Sequence, residues 1–294
     1  IYAAEALAKK GGLEAVKALS EALENDAFWG VRLEVAKQLS EVKLDQAGSA
    51  LVKGLSDKSS FVRRAVVNVL ANIKTLESYN AIKQLVTQKD ESYYVESAAA
   101  SSLGTMMTSA TLKEQEDEVI GLLSGILRER AGWNEVVRVG AIAGLSQLKS
   151  SPVALDLILE YTRPGINQAL RLAAIRALGT ISTGQTASNV EWILEQLADI
   201  AKETFFLTQV SVVMALGQME TAKAIPVLQS LANQTPDGRV RRIAEEAVQK
   251  VQKNVGTDQS VKQLREELDL LKQENQGLKS RVETLEAKSQ LSSQ

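Results

Sequence analysis

The sequence predicts an all-α fold: an α-solenoid of about seven helix pairs followed by a C-terminal coiled-coil helix. Three observations predict it. One amphipathic helical pattern recurs along the chain at near-constant spacing. A second amphipathic segment precedes each copy, so the repeating unit is a helical hairpin. A four-heptad apolar seam then closes the chain. The alphabet agrees, because Ala and Leu are favourable in helix interiors, aromatics make up only 4% of the residues, and just 4 prolines interrupt them.

The recurring pattern is an apolar residue, usually followed by Arg, with apolar or small residues four, seven and eight places after the start. Copies begin at Val31, Val62, Val95, Val137, Leu170 and Val240, with a weaker one at Thr208. Those offsets put the side chains on one helical face. The second position reads Arg32, Arg63, Glu96, Arg138, Arg171, Gln209 and Arg241, and the eighth step ends on Leu39, Leu70, Leu103, Leu145, Leu178, Leu216 and Val248. The seventh step is usually small (Ser102, Gly144, Ala177, Ala215, Ala247), which lets a neighbouring helix approach closely. First helices are expected at Leu13–Leu23, Ala47–Leu55, Pro152–Tyr161 and Ala224–Ala232. The two long spacings, 42 residues before Val137 and 38 before Thr208, imply insertions in Thr105–Asp117 and in Ser182–Phe206. Such hairpins cannot cover their apolar faces alone and must stack. With helix layers about 8–10 Å apart, seven pairs make a curved rod of roughly 60–80 Å.

At the N-terminus, Ala3, Ala6 and Leu7 fit the fourth, seventh and eighth steps of a further copy starting 32 residues before Val31. The chain is therefore expected to open inside the second helix of a repeat, as the C-terminal piece of a longer polypeptide. The expected domains are a solenoid over 1–253, a linker over 254–260 with Gly256 and Asp258 breaking the pattern, a coiled coil over 261–288 and a disordered tail over 289–294. The coil places Val261, Leu268, Asn275 and Val282 at a, and Leu264, Leu271, Leu278 and Leu285 at d. β-branched a residues with Leu at d favour a parallel dimer, and a buried Asn sets register. The pairs Glu267–Lys272, Glu274–Lys279 and Arg281–Glu286 are all attractive in that arrangement. A helix packed back on the solenoid, or one paired with a different partner, are the alternatives.

Histidine and cysteine are both absent. The usual zinc ligand sets and the Ser-His-Asp and Cys-His nucleophile pairs are thereby excluded. No phosphate-cradling glycine loop is present either. Carboxylate-only hydrolysis survives the elimination, but the carboxylates fall mostly on solvated helix faces. Net charge is −2 without a long basic run, which argues against nucleic acid as a partner. No apolar stretch is long enough to span a membrane, and no signal segment opens the chain. Asn233-Gln234-Thr235 is a lone glycosylation pattern of the kind expected by chance. A cytoplasmic location is the default.

Aromatics gather before the second helix of several units: Phe28 and Trp29, Phe61, Tyr93 and Tyr94, Phe205 and Phe206. They read either as a docking strip along one edge or as local packing at the helix entrance. The Arg row reads as a structural ladder with acidic turn residues such as Asp26 and Asp57, or as an anion site. The acidic run Glu114–Glu118 reads as a solvated helix start.

This unit resembles the HEAT repeat, a HEAT/ARM-like solenoid unit, including its phycobilisome-lyase-type variant with the pattern D-x-x-x-x-V-R-x-x-[AV]-x-x-[AVL]-L. Asp26–Leu39 and Asp57–Leu70 match it. The run Asp26-Ala27-Phe28-Trp29-Gly30-Val31-Arg32 is similar to the D-P-F-W-G-V-R segment of the C-terminal domain of bacterial aminopeptidase N-like zinc metallopeptidases, with Ala27 in place of the Pro. Asp90–Ala100 is similar to the next signature of that domain. The resemblance spans about residues 1–250. It implies a parent enzyme with zinc, while the H-E-x-x-H motif is wholly absent here, so no catalytic residue, metal or cofactor carries over. The implied role is a non-catalytic module that packs on the preceding catalytic domain and promotes homodimerisation. A free-standing adaptor binding a protein on its concave face is the alternative.

Overall fold

The computed structural model describes residues 2–42 and 45–256. Every regular element among them is helical. The chain divides into two units, Ile1–Met219 and Glu220–Gln294.

The first unit opens with α1 (Tyr2–Lys10), followed by the pairs α2 (Gly12–Asn25) and α3 (Trp29–Leu39), α4 (Asp45–Gly54) and α5 (Ser60–Ile73), and α6 (Leu76–Gln88) and α7 (Tyr93–Met106). It continues with α8 (Glu116–Glu129) and α9 (Val136–Ser146), α10 (Pro152–Glu160) and α11 (Gln168–Ser182), and α12 (Ala187–Ile200) and α13 (Phe206–Leu216). The second unit contains α14 (Ala224–Gln234) and α15 (238–256). The described residues thus form the seven expected pairs plus α1.

Second helices pack in an unbroken series through the first unit: α1, α3, α5, α7, α9, α11 and α13 each meet the next. The predicted face is the buried one. Val35, Val66, Ala99, Ala141, Ala174 and Val212 at the fourth step are buried, as are the eighth-step leucines from Leu39 to Leu216. In the second unit Val240, Ala244 and Val251 are buried, while Val248 is partly exposed.

α7 and α9 come closest. A Cβ on Gly104 would lie 1.9 Å from the carbonyl oxygen of Gly144, and one on Gly140 would lie 2.4 Å from that of Ser97. Glycine is required there because backbone meets backbone.

Three expectations shift. In α1 the buried residues are Ala4 and Ala8, not Ala3 and Ala6, so that copy starts one residue later, 31 residues before Val31. The first insertion is a 3₁₀ segment, Ala110–Gln115, whereas the 38-residue spacing holds no additional described element, only α11, α12 and the turns that follow them. Finally, α15 continues through 256, three residues into the expected linker, since one glycine costs a helix only about 1 kcal/mol. The heptad residues Val261 to Leu285 lie outside the described residues. No helix among the described residues is long and apolar enough to cross a membrane.

Candidate interaction surface

Four of the entrances to the second helices share one construction. Asp26, Asp57, Asp90 and Asp237 each accept, through Oδ1, the backbone N–H two residues on (Phe28, Ser59, Ser92 and Arg239) at 2.7–2.9 Å. The turn closes on its own aspartate, and the helix follows at once. An Arg one turn into the helix then reaches back and forward together. Arg32 donates from Nη1 to the carbonyl of Asp26 at 2.7 Å, and from Nε and Nη2 to the carboxylate of Asp57 at 2.6 and 2.9 Å. Arg63 repeats this, with the carbonyl of Asp57 at 2.8 Å and the carboxylate of Asp90 at 2.7 Å through both nitrogens.

The expected ladder with acidic turn residues is present at Asp57 and Asp90, while Asp26 offers Arg32 only its carbonyl. Each Arg pairs with the aspartate of the next repeat and takes only a carbonyl from its own. The fork matches a carboxylate bidentately. Burial pushes Asp57 up, yet the Arg32 bond and the Ser59 amide outweigh it and hold the carboxyl below its ordinary value.

At Glu96 the rung reverses sign. Glu96 Oε1 accepts from the N–H of Asp90 at 3.1 Å, and Oε2 pairs with Arg130 of the following repeat. Two rungs on, Arg171 binds Glu203 through Nη1 and Nη2 at 2.8 and 2.5 Å, which lowers the Glu203 pKa, and takes the carbonyl of Thr162 at 2.7 Å. Between them Arg138 pairs inside its own repeat with Glu135 at 2.9 Å and lies 5.4 Å from the Tyr161 ring centre. Glu118 lies in the exposed acidic first turn of α8, as expected, and also has structural partners. It accepts from the buried Tyr79 hydroxyl at 2.6 Å and from Lys83 at 3.0 Å, and these bonds lower its pKa; burial, then Glu118, raises that of Tyr79.

These bonds occupy Arg32, Arg63 and Arg171 with carboxylates, whereas Arg241 is exposed and, among the described residues, donates only to the carbonyls of Ala232 and Thr235 at 3.3 Å. What the entrances leave outward is aromatic. Phe28 and Phe61 are 58% and 59% exposed, and Trp29, Tyr93, Tyr94 and Phe205 are also exposed; Phe206 is half-buried. The local-packing reading holds for Phe28, Trp29 and Phe61. Trp29 stacks on Phe61 at 5.0 Å and meets Phe28 at 5.6 Å, bridging two repeats, yet the outer ring faces stay in solvent.

Trp133 escaped the sequence reading. It is 56% exposed and meets Tyr94 edge-on at 6.0 Å. It stands just before α9 in a 3₁₀ turn where Asn134 and Glu135 both have left-handed backbone, φ 49° and 57°. Its place four residues before Val137 was the available signal. Among the described residues no group of Asp and Glu could hold a metal ion.

The family model described as HEAT repeats matches residues 1–65, 48–130 and 165–249. No curated protein matches the sequence. Among solved structures, the chain is similar to the complex of CpcE and CpcF of phycocyanin lyase from Nostoc sp. PCC7120, at 17% identity and a TM-score of 0.51, covering 82% of this chain and 94% of that one. An archaeal HEAT-like repeats protein from Thermococcus onnurineus NA1 aligns at 12% identity and TM-score 0.44 over 82% and 98% of the two chains. Human deoxyhypusine hydroxylase aligns at 19% and 0.36 over 85% and 89%.

Proposed function

Because the chain belongs to the HEAT-repeat family, we propose that it is a non-catalytic interaction module whose aromatic entrances form a docking strip for a protein surface. Its parent is an aminopeptidase N-like zinc metallopeptidase. There the module packs on the catalytic domain and promotes dimerisation through the heptad residues Val261–Leu285; the zinc belongs to the parent alone.

One observation carries this reading. The two segments that resemble that enzyme's C-terminal domain, Asp26–Arg32 and Asp90–Ala100, hold the rings of Phe28, Trp29, Tyr93 and Tyr94, which the solenoid leaves exposed. Aromatic anchors of this kind dominate binding energy when a partner buries them.

The test is the reading frame upstream of Ile1, followed by association of this chain with the domain encoded there. An H-E-x-x-H segment with a downstream Glu, and an association weakened about tenfold or more by Trp29→Ser with Phe61→Ser, is the expected result. A start codon immediately before Ile1 overturns the parent enzyme and leaves a free-standing adaptor.

A further inference from the structure

Between α6 and α8 the first helices open a cavity of about 430 Å³. Its cause lies on the other side of the pairs. α7 and α9 are pressed together at Gly104, Gly140 and Gly144, and the Ala110–Gln115 segment is inserted ahead of α8, so α6 and α8 splay. Val86, Leu122, Ile126 and Val137 supply the apolar lining. Polar bridges mark the two ends: Tyr79 and Lys83 on Glu118 at one, Glu96 on Arg130 at the other. From Glu118 to Glu129 the groove follows α8 for three turns, about 16 Å.

Gly121 and Gly125 line this groove one helical turn apart, and a Cβ on either would meet no atom within 4 Å. Glycine is a poor helix former, so the chain's own packing gives no reason for these two. The same spacing on α9 has a visible use. Gly140 and Gly144 seat the α7 backbone, and a Cβ on them would strike the carbonyl oxygens of Ser97 and Ala100 at 2.4 and 2.5 Å.

We infer that the groove between α6 and α8 seats an amphipathic α-helix of a protein partner, which crosses α8 at Gly121 and Gly125 as α7 crosses α9 at Gly140 and Gly144. The partner's apolar stripe fills the space over Leu122 and Ile126. Lys89, on the α6 side, and Glu129, on the α8 side, line the same end and make no ion pair among the described residues. The seated helix therefore carries acidic residues on its α6 flank and basic ones on its α8 flank. None of the exposed aromatics takes part, so the site stands or falls apart from the docking strip.

The experiment uses the full 294-residue chain and a fluorescein-labelled helical peptide of four turns. Its apolar stripe is Leu with one central Ala, with Glu along one flank and Lys along the other. Anisotropy should saturate, and a peptide with Glu and Lys exchanged should bind about threefold more weakly. Gly125→Leu should weaken binding about tenfold or more while the melting temperature stays equal or rises, because the side chain fills the seat and favours helix. Gly125→Ala gives a smaller loss in the same direction, which keeps the test open should the Leu variant fold poorly. Equal binding to the native chain and both variants overturns the proposal. So does the absence of saturation below about 1 mM, or saturation by a small apolar dye with none by the peptide.

Discussion

The rung between Arg32 and Asp57 offers the sharpest test of what couples adjacent repeats. Arg32 is only 2% exposed and the Asp57 side chain 8%, so neither charge can fall back on water. Asp57→Asn preserves shape and the acceptor for the Ser59 amide but removes the charge. Breaking a buried pair from one side costs about 3–5 kcal/mol. Here the carbonyl of Asp26 still accepts from Nη1 at 2.7 Å, and Asn offers one replacement acceptor, so the lower end applies, about 3 kcal/mol. In a repeat array that loss falls on one nearest-neighbour interface.

Hydrogen exchange is therefore the proper assay. Amides of α2 and α3 should lose about 100-fold in protection, with those of α11 and α13 unchanged. Adding Arg32→Met should recover part of the loss, since no unpaired charge remains. The exposed pair Lys53–Glu24 is the control, and Glu24→Gln should shift stability by less than about 0.5 kcal/mol.

The sign of the pH dependence follows from the lowered Asp57 pKa. Its stabilisation is complete above the ordinary aspartate value of 3.8 and disappears as pH falls through the depressed folded-state value. The difference between wild type and Asp57→Asn should vanish in acid. An Asp57→Asn protein no weaker than Glu24→Gln, or a double variant weaker than the single one, would refute the reasoning.

Other outcomes follow from the same geometry. Gly144→Ala places a methyl 2.5 Å from the Ala100 carbonyl and should cost about 1–3 kcal/mol in urea melts, whereas Gly121→Ala, in open space, should gain about 0.5–1 kcal/mol. Exchanging the reversed rung, Glu96→Arg with Arg130→Asp, should restore much of the stability that Glu96→Arg alone removes, as a double-mutant cycle will report. Trp133→Ser loses one edge-on contact with Tyr94 and should change stability by less than about 1 kcal/mol, while removing one of the 3 tryptophans most open to acrylamide quenching. Light scattering should give a dimer for residues 1–294 and a monomer for residues 1–256; equal protomer numbers would defeat the zipper.

The repeat was legible because covering one face of each second helix demands apolar residues at fixed offsets. Those offsets located Val35, Val66, Ala99 and their successors in the core without knowledge of any neighbour. What periodicity could not supply was the partner across a repeat boundary. Asp26 and Asp57 look alike to Arg32 in sequence, one six residues before it and the other 25 after. Only the turn decides: Asp57 and Asp90 each accept the amide two residues on through Oδ1, and both oxygens then accept from the Arg of the preceding repeat. In α1 the short helix gave too few steps to fix its phase, hence the slip of one residue.

The features hidden from the pattern are concentrated at one boundary, between the third and fourth pairs. There Arg gives way to Glu96, and Arg130 answers from the following turn. Gly104, Gly140 and Gly144 bring α7 and α9 into backbone contact, and Gly121 and Gly125 leave α8 bare. Trp133 stands on a turn of left-handed residues. The 42-residue spacing that disturbed the period marks the same place. The boundaries crossed by Arg32 and Arg63 need only one another, because the same bidentate Arg–Asp rung joins each hairpin to the next. A boundary that gives up the common rung and spends glycines without filling the space they open is under a demand that hairpin packing does not impose. The proposed helix seat between α6 and α8 would account for that demand, and the Gly125→Leu titration tests it.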